Sequence, residues 1–285
     1  MPHYVPSGIN IVSLPQFQDW TDENGMMTDN NQGYSTGNGM LFMAHYAFAL
    51  HANGLLGGDE ITRMIAVYKT CQREPGLYNR LPGANNWYQA HDDLIGLMGA
   101  EAVMCPNHAD RLLTKELYNY GQNTDIYAAD TSDSNLTKTK WNKILFGVFK
   151  GLSLLNPFGF GKIKYVWNNV RPGKFHTNSW LGRRMEVIAT MQMASGSFVN
   201  PIFWTYWCAS MLLLVYGKKN PSYQDGYTLR FHSAVACQGR GIVTDWICKK
   251  VREEILKTYG GFGEMLLSYF NQPTHPIVVL GAGKF

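Results

Sequence analysis

Residues 91 to 104 read HDDLIGLMGAEAVM, and after the acidic pair Asp92-Asp93 the stretch is apolar apart from Glu101. The stretch is long enough for a helix that must be covered by neighbours on most of its sides. A single layer of helices cannot bury faces this apolar. An incurving array of helical hairpins would bury them on both sides.

Most of the remaining chain shows helical periodicity. Asp59 and Asn107 are predicted N-caps, and Asn200 followed by Pro201 is a strong signal for a helix start. The predicted helices span residues 39–54, 59–72, 91–104, 108–121, 180–196, 201–217, 225–237, 242–260 and 263–270. Several are joined by short turns that contain Gly or Pro, as in αα-hairpins.

The sequence therefore predicts an all-α fold, with helical hairpins in an (α/α) toroid-like array. Residues 1–37 are predicted to be an extended N-terminal arm and residues 38–285 a single helical domain, with a long internal loop at 121–140. Strand-like patterns are confined to residues 9–14 and to the apolar tail, residues 275–285.

Composition narrows the classes of partner. Hydrophobic residues make up 45% of the chain and charged residues only 16%, so much of the surface must consist of Asn, Gln, Ser, Thr, Gly and Tyr. Such a surface suits sugar binding or contacts with other subunits. The net charge is only +4, and no run of five Lys or Arg occurs, so no nucleic-acid partner is expected.

The cysteines and the N-terminus favour synthesis in a reducing cytoplasm. The five cysteines are scattered and include no CxxC pair, which predicts free thiols. The first residues lack the basic and apolar regions of a signal peptide. The most apolar run, residues 201–217, is shorter than the ~20 residues that span a bilayer, so no membrane insertion is expected.

Asp92 and Asp93 are the candidate catalytic residues. Glycoside hydrolysis needs one carboxyl group as acid and a second as base or nucleophile. Neighbouring helix residues point ~100° apart, so at most one of the pair would enter a given pocket. The second carboxylate would come from elsewhere, and the candidates are Glu186, Asp245, Asp22, Glu23 and Asp125.

The loop before the acidic pair, together with one helical histidine, supplies candidate substrate-binding residues. Trp87 and Tyr88 could stack on a sugar, and Arg80 and His91 could bind a uronate or shift the pKa of a carboxyl group. His45, within an apolar helix, is a further candidate.

Each of these residues also has a structural interpretation. The acidic pair could stabilise a helix N-terminus, an effect worth ~0.3–1 kcal/mol. Trp87 and Tyr88 could pack the helix entrance, and His45 could be a core histidine.

Neither a metal nor a cofactor is expected. GxGxxG, Walker and GxSxG patterns are absent, which argues against a nucleotide site and against nucleophilic acyl chemistry. His45 and His51 are six residues apart, which is not the spacing of a helical metal-binding pair.

Residues 33–50, GYSTGNGMLFMAHYAFAL, and residues 74–97, which run from EPGLYNRLPG to HDDLIGL, resemble the helix-mouth loops of six-hairpin (α/α)-toroid glycosidase-like proteins. They are also similar to tailed-bacteriophage proteins of that general shape. The likeness covers roughly residues 33–120. It implies a toroid in which one Asp of the pair and a second carboxylate serve as acid and base.

The expected function is therefore to bind or hydrolyse a bacterial cell-surface polysaccharide or peptidoglycan, as a component of a phage particle. The alternative is a non-enzymatic virion or assembly subunit that binds other virion subunits. Low charge, abundant Asn and Gln, the N-terminal arm and the apolar C-terminal tail favour this alternative.

Overall fold

A computed structural model describes residues 20–28, 38–82, 91–123, 180–217, 224–270, 274–281 and 285. These parts of the chain are mostly α-helical, as predicted. The α-helices are α1 (Gly39–Ala52), α2 (Gly58–Thr70), α3 (His91–Met104), α4 (Leu112–Asn123), α5 (Trp180–Ala194), α6 (Pro201–Tyr216), α7 (Gln224–Ala236), α8 (Ile242–Tyr259), α9 (Phe262–Phe270) and α10 (Pro276–Gly281).

All nine predicted helices are confirmed, although several ends differ. Asn200 caps α6 through a bond from the Ile202 N–H, with Pro201 in the first turn. Asp59 is not an N-cap, because α2 starts one residue earlier, after Gly57 in extended conformation. Asn107 caps a short 3-10 helix, His108–Asp110, and α4 begins only at Leu112.

Three local structures differ from the sequence-based prediction. The C-terminal tail contains α10 rather than a strand, since a short apolar run does not by itself distinguish the two. A small antiparallel hairpin pairs β1 (Gln72–Glu74) with β2 (Leu77–Tyr78) and was not predicted. Residues 121–123 of the predicted long loop belong to α4.

Several predictions lie outside the described residues. They are the strand-like segment 9–14, residues 1–19 and 29–37 of the N-terminal arm, and residues 124–140 of the long loop. Within the described part of the arm, residues 20–28 form a turn in which Thr21 pairs with Met27. The free cysteines are as predicted, and four of the five are buried.

Helix α3 lies at the centre of the core and packs against α1, α4, α5 and α7. Helices α1 and α3 run parallel, because Asp93 contacts Leu41 and, further along both helices, Gly99 approaches Phe48. The final carbonyl groups of α5 and α7, and that of Cys105 just after α3, converge on one side chain, Arg111. The helices α1, α3, α5 and α7 therefore share one direction, while the toroid-like array stays a prediction.

Gly99 lies where α3 approaches both α1 and α7 closely. A Cβ atom at this position would lie 2.9 Å from Phe48 Cζ and 3.1 Å from the carbonyl oxygen of His232. Both distances are shorter than ordinary van der Waals contacts, and the second atom belongs to the backbone of α7. The absence of a side chain at Gly99 is therefore what allows α1, α3 and α7 to meet.

We expect Gly99→Ala to lower the free energy of unfolding by about 1 kcal/mol, because overpacking outweighs the gain in helix propensity. Urea unfolding monitored by circular dichroism measures the change. Gly58→Ala is the control, since a Cβ atom in the first turn of α2 meets no atom within 4 Å. Equal stability of the two variants would contradict the prediction.

None of the helices in the described ranges is both long enough and apolar enough to cross a membrane.

Candidate functional site at the helix N-termini

Asp93 joins the N-terminal ends of α1 and α3. It lies in the first turn of α3, and its Oδ1 accepts a hydrogen bond of 3.1 Å from the Leu41 N–H in the first turn of α1. Its Oδ2 accepts one of 2.8 Å from Arg80 Nε. Asn38, the N-cap residue of α1, makes no side-chain cap bond, and its amide oxygen instead accepts from Arg80 Nη2. Asp93 thus caps a neighbouring helix.

The surroundings of Asp93 favour its protonated form. The residue is only 1% exposed, and burial raises its pKa to about 8, with a smaller contribution from the charge of Asp92. Arg80 and the Leu41 N–H offset part of this increase. A carboxyl group whose pKa lies near neutrality can serve as a proton donor at physiological pH.

The structure brings four of the predicted site residues to this end of the core. Arg80 binds Asp93 directly, and 31% of its side chain remains exposed. His91 is buried beside the pair, whereas Asp92 is only half-buried. This difference between Asp92 and Asp93 is the one expected from neighbours that point ~100° apart on a helix. Trp87 and Tyr88 lie outside the described residues.

His45 lies in the core, as its structural interpretation predicts. It is fully buried, with its ring centroid 4.7 Å from that of His232 and 5.5 Å from that of Phe270. Burial, together with the neighbouring His232 and His275, lowers its pKa well below the usual value for histidine. A neutral imidazole in this cluster packs as an aromatic ring.

Among the described candidates for a second carboxylate, Glu186 is the one buried on a helix that packs against α3. It is buried within α5 and pairs with Arg230 of α7, with 3.4 Å between Oε2 and Nη2. Arg111 contacts α3 at Cys105 and α5 at Ala194, which gives a common reference level near the C-terminal ends. Measured along the helix axes from that level, Asp93 is about 18 Å away on α3 and Glu186 about 12 Å away on α5. Asp93 therefore lies in the first turn of α3, whereas Glu186 lies near the middle of α5.

The other candidates have different surroundings. Asp245 lies at the opposite end of the core, where its carboxylate accepts from the Gly239 N–H just after α7. Asp22 stabilises its own turn by accepting from the N–H groups of Asn24 and Met26. Glu23 is exposed, and Asp125 lies outside the described residues.

Sequence reasoning did not identify the role of Glu101. Its two carboxylate oxygens each accept a hydrogen bond of 2.7 Å, from the N–H groups of Leu113 and Thr114 at the start of α4. The available signal was a single acidic residue within an otherwise apolar helix, which requires a buried partner. Helix α3 thus caps two neighbouring helices, α1 through Asp93 and α4 through Glu101.

Within the ranges that the structure describes, no group of three or more His, Cys, Asp or Glu side chains is arranged to hold a metal ion. In comparisons with known proteins, no protein-family model, curated protein or solved structure matches the chain.

Proposed function

We propose that the chain binds and hydrolyses a bacterial cell-surface polysaccharide or peptidoglycan at the end of the core that carries Arg80 and Asp93. In this proposal the helical hairpins form a toroid-like array and the protein is a component of a phage particle. The observation that carries the proposal is Asp93, a carboxyl group with its pKa raised to about 8 beside the partly exposed Arg80.

Asp93 is assigned the role of general acid, which donates its proton to the glycosidic oxygen as the bond to the leaving sugar breaks. Glu186 is the proposed base or nucleophile, since it is the described candidate that is buried on a helix packed against α3. Because Asp93 is only 1% exposed, substrate reaches it only when Arg80 moves aside. An anionic sugar such as a uronate would attract the guanidinium and so uncover the acid.

We expect Asp93→Asn to reduce the release of reducing ends by about 100-fold, because removing a general acid typically costs at least that factor. Asp92→Asn is the matched control and should keep its activity within about threefold, since it removes the half-buried neighbour. The assay uses a panel of bacterial polysaccharides and peptidoglycan, and circular dichroism checks that each variant folds.

The hydrolytic proposal is wrong if the wild-type protein releases no reducing ends, or if Asp93→Asn is as active as the wild type. Sedimentation with insoluble peptidoglycan then tests binding alone. Binding without hydrolysis would support the glycan as the ligand, and Asp93 would then serve only as the cap of α1.

An exposed apolar patch favours the second candidate function, a virion assembly subunit. At the start of α8, Ile242 is 90% exposed, and Val243 and Trp246 are also exposed. Phe198, 79% exposed, lies on a neighbouring segment, because Arg240 donates a hydrogen bond to the Ser197 carbonyl. Exposed apolar patches often mark contacts between proteins. Large assemblies in light scattering, without glycan binding, would favour this function.

A further inference from the structure

A cavity of about 310 Å³ lies at the opposite end of the parallel helices from Asp93. His51 from α1, Ala102 from α3 and Val235 from α7 contribute to its wall, and all three lie near the C-terminal ends of their helices. Arg111, Gln238 and Arg252 add polar side chains to the wall. The volume is near the lower limit for pockets that hold small molecules.

The guanidinium of Arg111 is already hydrogen-bonded within the protein. Its guanidinium donates to the carbonyl groups of Cys105, Pro106, Ala194 and Ala236, at distances of 2.7 to 3.1 Å. These carbonyls belong to the C-terminal ends of helices, where the helix dipole is negative. Arg111 therefore offsets the converging helix ends and has little capacity left for a ligand.

Arg252 has no such direct partner, although the more distant charges of Asp245 and Glu253 act on it. This half-buried side chain of α8 makes no hydrogen bond or ion pair within the described part of the chain, and its Nε atom is buried. Burial lowers its pKa, although arginine stays charged at neutral pH. None of the described side chains that line the cavity is acidic. An anion from solution would give Arg252 the direct partner that the described residues do not provide.

We propose that this cavity binds a small organic monoanion, a carboxylate with a compact apolar body, and that Arg252 is its cationic partner. The apolar body fits the remaining wall, which includes Ala102, Val235 and the ring of Phe285. The planar guanidinium matches the two oxygens of a carboxylate. This site is separate from the glycan site proposed at the other end of the helices and does not depend on it.

Binding of 4-fluorobenzoate to the full-length chain, followed by fluorine NMR, tests the proposal. We expect saturable binding with a Kd of about 1 mM, as is typical of so small a ligand, and a loss of affinity of at least about tenfold in Arg252→Gln. Lys249→Gln is the matched control. It removes the same charge from the same helix at a side chain that is 68% exposed, and should change Kd less than about twofold.

Thermal unfolding gives a second measurement that does not depend on NMR. Benzoate should raise the Tm of the wild type and of Lys249→Gln, and should leave that of Arg252→Gln unchanged. Without ligand, Arg252→Gln should be at least as stable as the wild type, because it removes a half-buried charge that has no hydrogen bond or ion pair within the described residues.

Three results would overturn the proposal. They are the absence of saturable binding up to 10 times the expected Kd, equal affinity in Arg252→Gln and the wild type, and equal affinity for the neutral analogue 4-fluorobenzyl alcohol. Inorganic phosphate serves as a competitor. Displacement of 4-fluorobenzoate by phosphate at equal concentration would show that the site recognises charge alone, which also contradicts the proposed class of ligand.

Discussion

Replacing Arg111 by methionine is expected to lower the free energy of unfolding by about 3–5 kcal/mol, the range found when one partner of a buried charged network is removed. Arg111 is 1% exposed and donates to four carbonyl groups. Two of these carbonyl groups belong to Ala194 and Ala236, the last residues of α5 and α7. Methionine keeps much of the apolar stem and loses every donor, so these buried carbonyls would lack their guanidinium partner.

Urea unfolding monitored by circular dichroism measures this loss. Arg240→Met is the matched control, because Arg240 is only partly buried and donates to one carbonyl, that of Ser197. We expect the control to lose less than about 1.5 kcal/mol, the worth of a typical single hydrogen bond. Arg111→Lys should fall between the two, because one ammonium group cannot reach four carbonyls. Similar losses in Arg111→Met and Arg240→Met would contradict the role assigned to Arg111.

Arg111 also illustrates why helices could be predicted and their assembly could not. The helix around residues 201–217 follows from local signals, since Asn200 and Pro201 define its start. Arg111 lies in a stretch that suggests an ordinary amphipathic helix, yet its bonds join it to residues 83 and 125 positions away. No local pattern contains that information, because the contact depends on how α3, α5 and α7 pack.

In the candidate site, too, local features could be predicted from the sequence and tertiary contacts could not. Helix geometry alone predicts that Asp92 and Asp93 point in different directions, and they differ in burial. Which of them faces the core depends on α1, whose Leu41 N–H binds Asp93. The pairing of Glu186 with Arg230 likewise joins two helices that are distant in the sequence. Sequence reasoning therefore found the acidic residues but could not assign their partners.

Two fully buried histidines, His45 and His232, predict that acid destabilises the protein. Burial lowers the pKa of His232 to about 3 and holds that of His45 well below its usual value. Below an unfolded-state pKa of about 6.5, unfolded histidines bind protons that the folded state excludes.

Asp93 acts in the opposite direction over the same pH range. Its folded pKa is raised to about 8, so between about pH 4 and 8 the folded state holds a proton that the unfolded state has released. Its contribution to stability is therefore largest at low pH and is lost as the pH rises through 8. Because this partly cancels the effect of the histidines, the Asp93→Asn protein is the better background for measuring them.

In that background, the contribution of His45 and His232 to the free energy of unfolding should fall by about 3 kcal/mol between pH 6.5 and 5, in about equal parts. Adding His232→Gln should remove about half of this dependence, whereas adding His51→Gln, at an exposed position, should leave it unchanged. Urea unfolding at each pH provides the measurement, and groups shared by the variants cancel in the comparison. If His232→Gln and His51→Gln gave the same pH dependence, His232 would be protonated within the core, and the histidine cluster could not be the source of acid sensitivity.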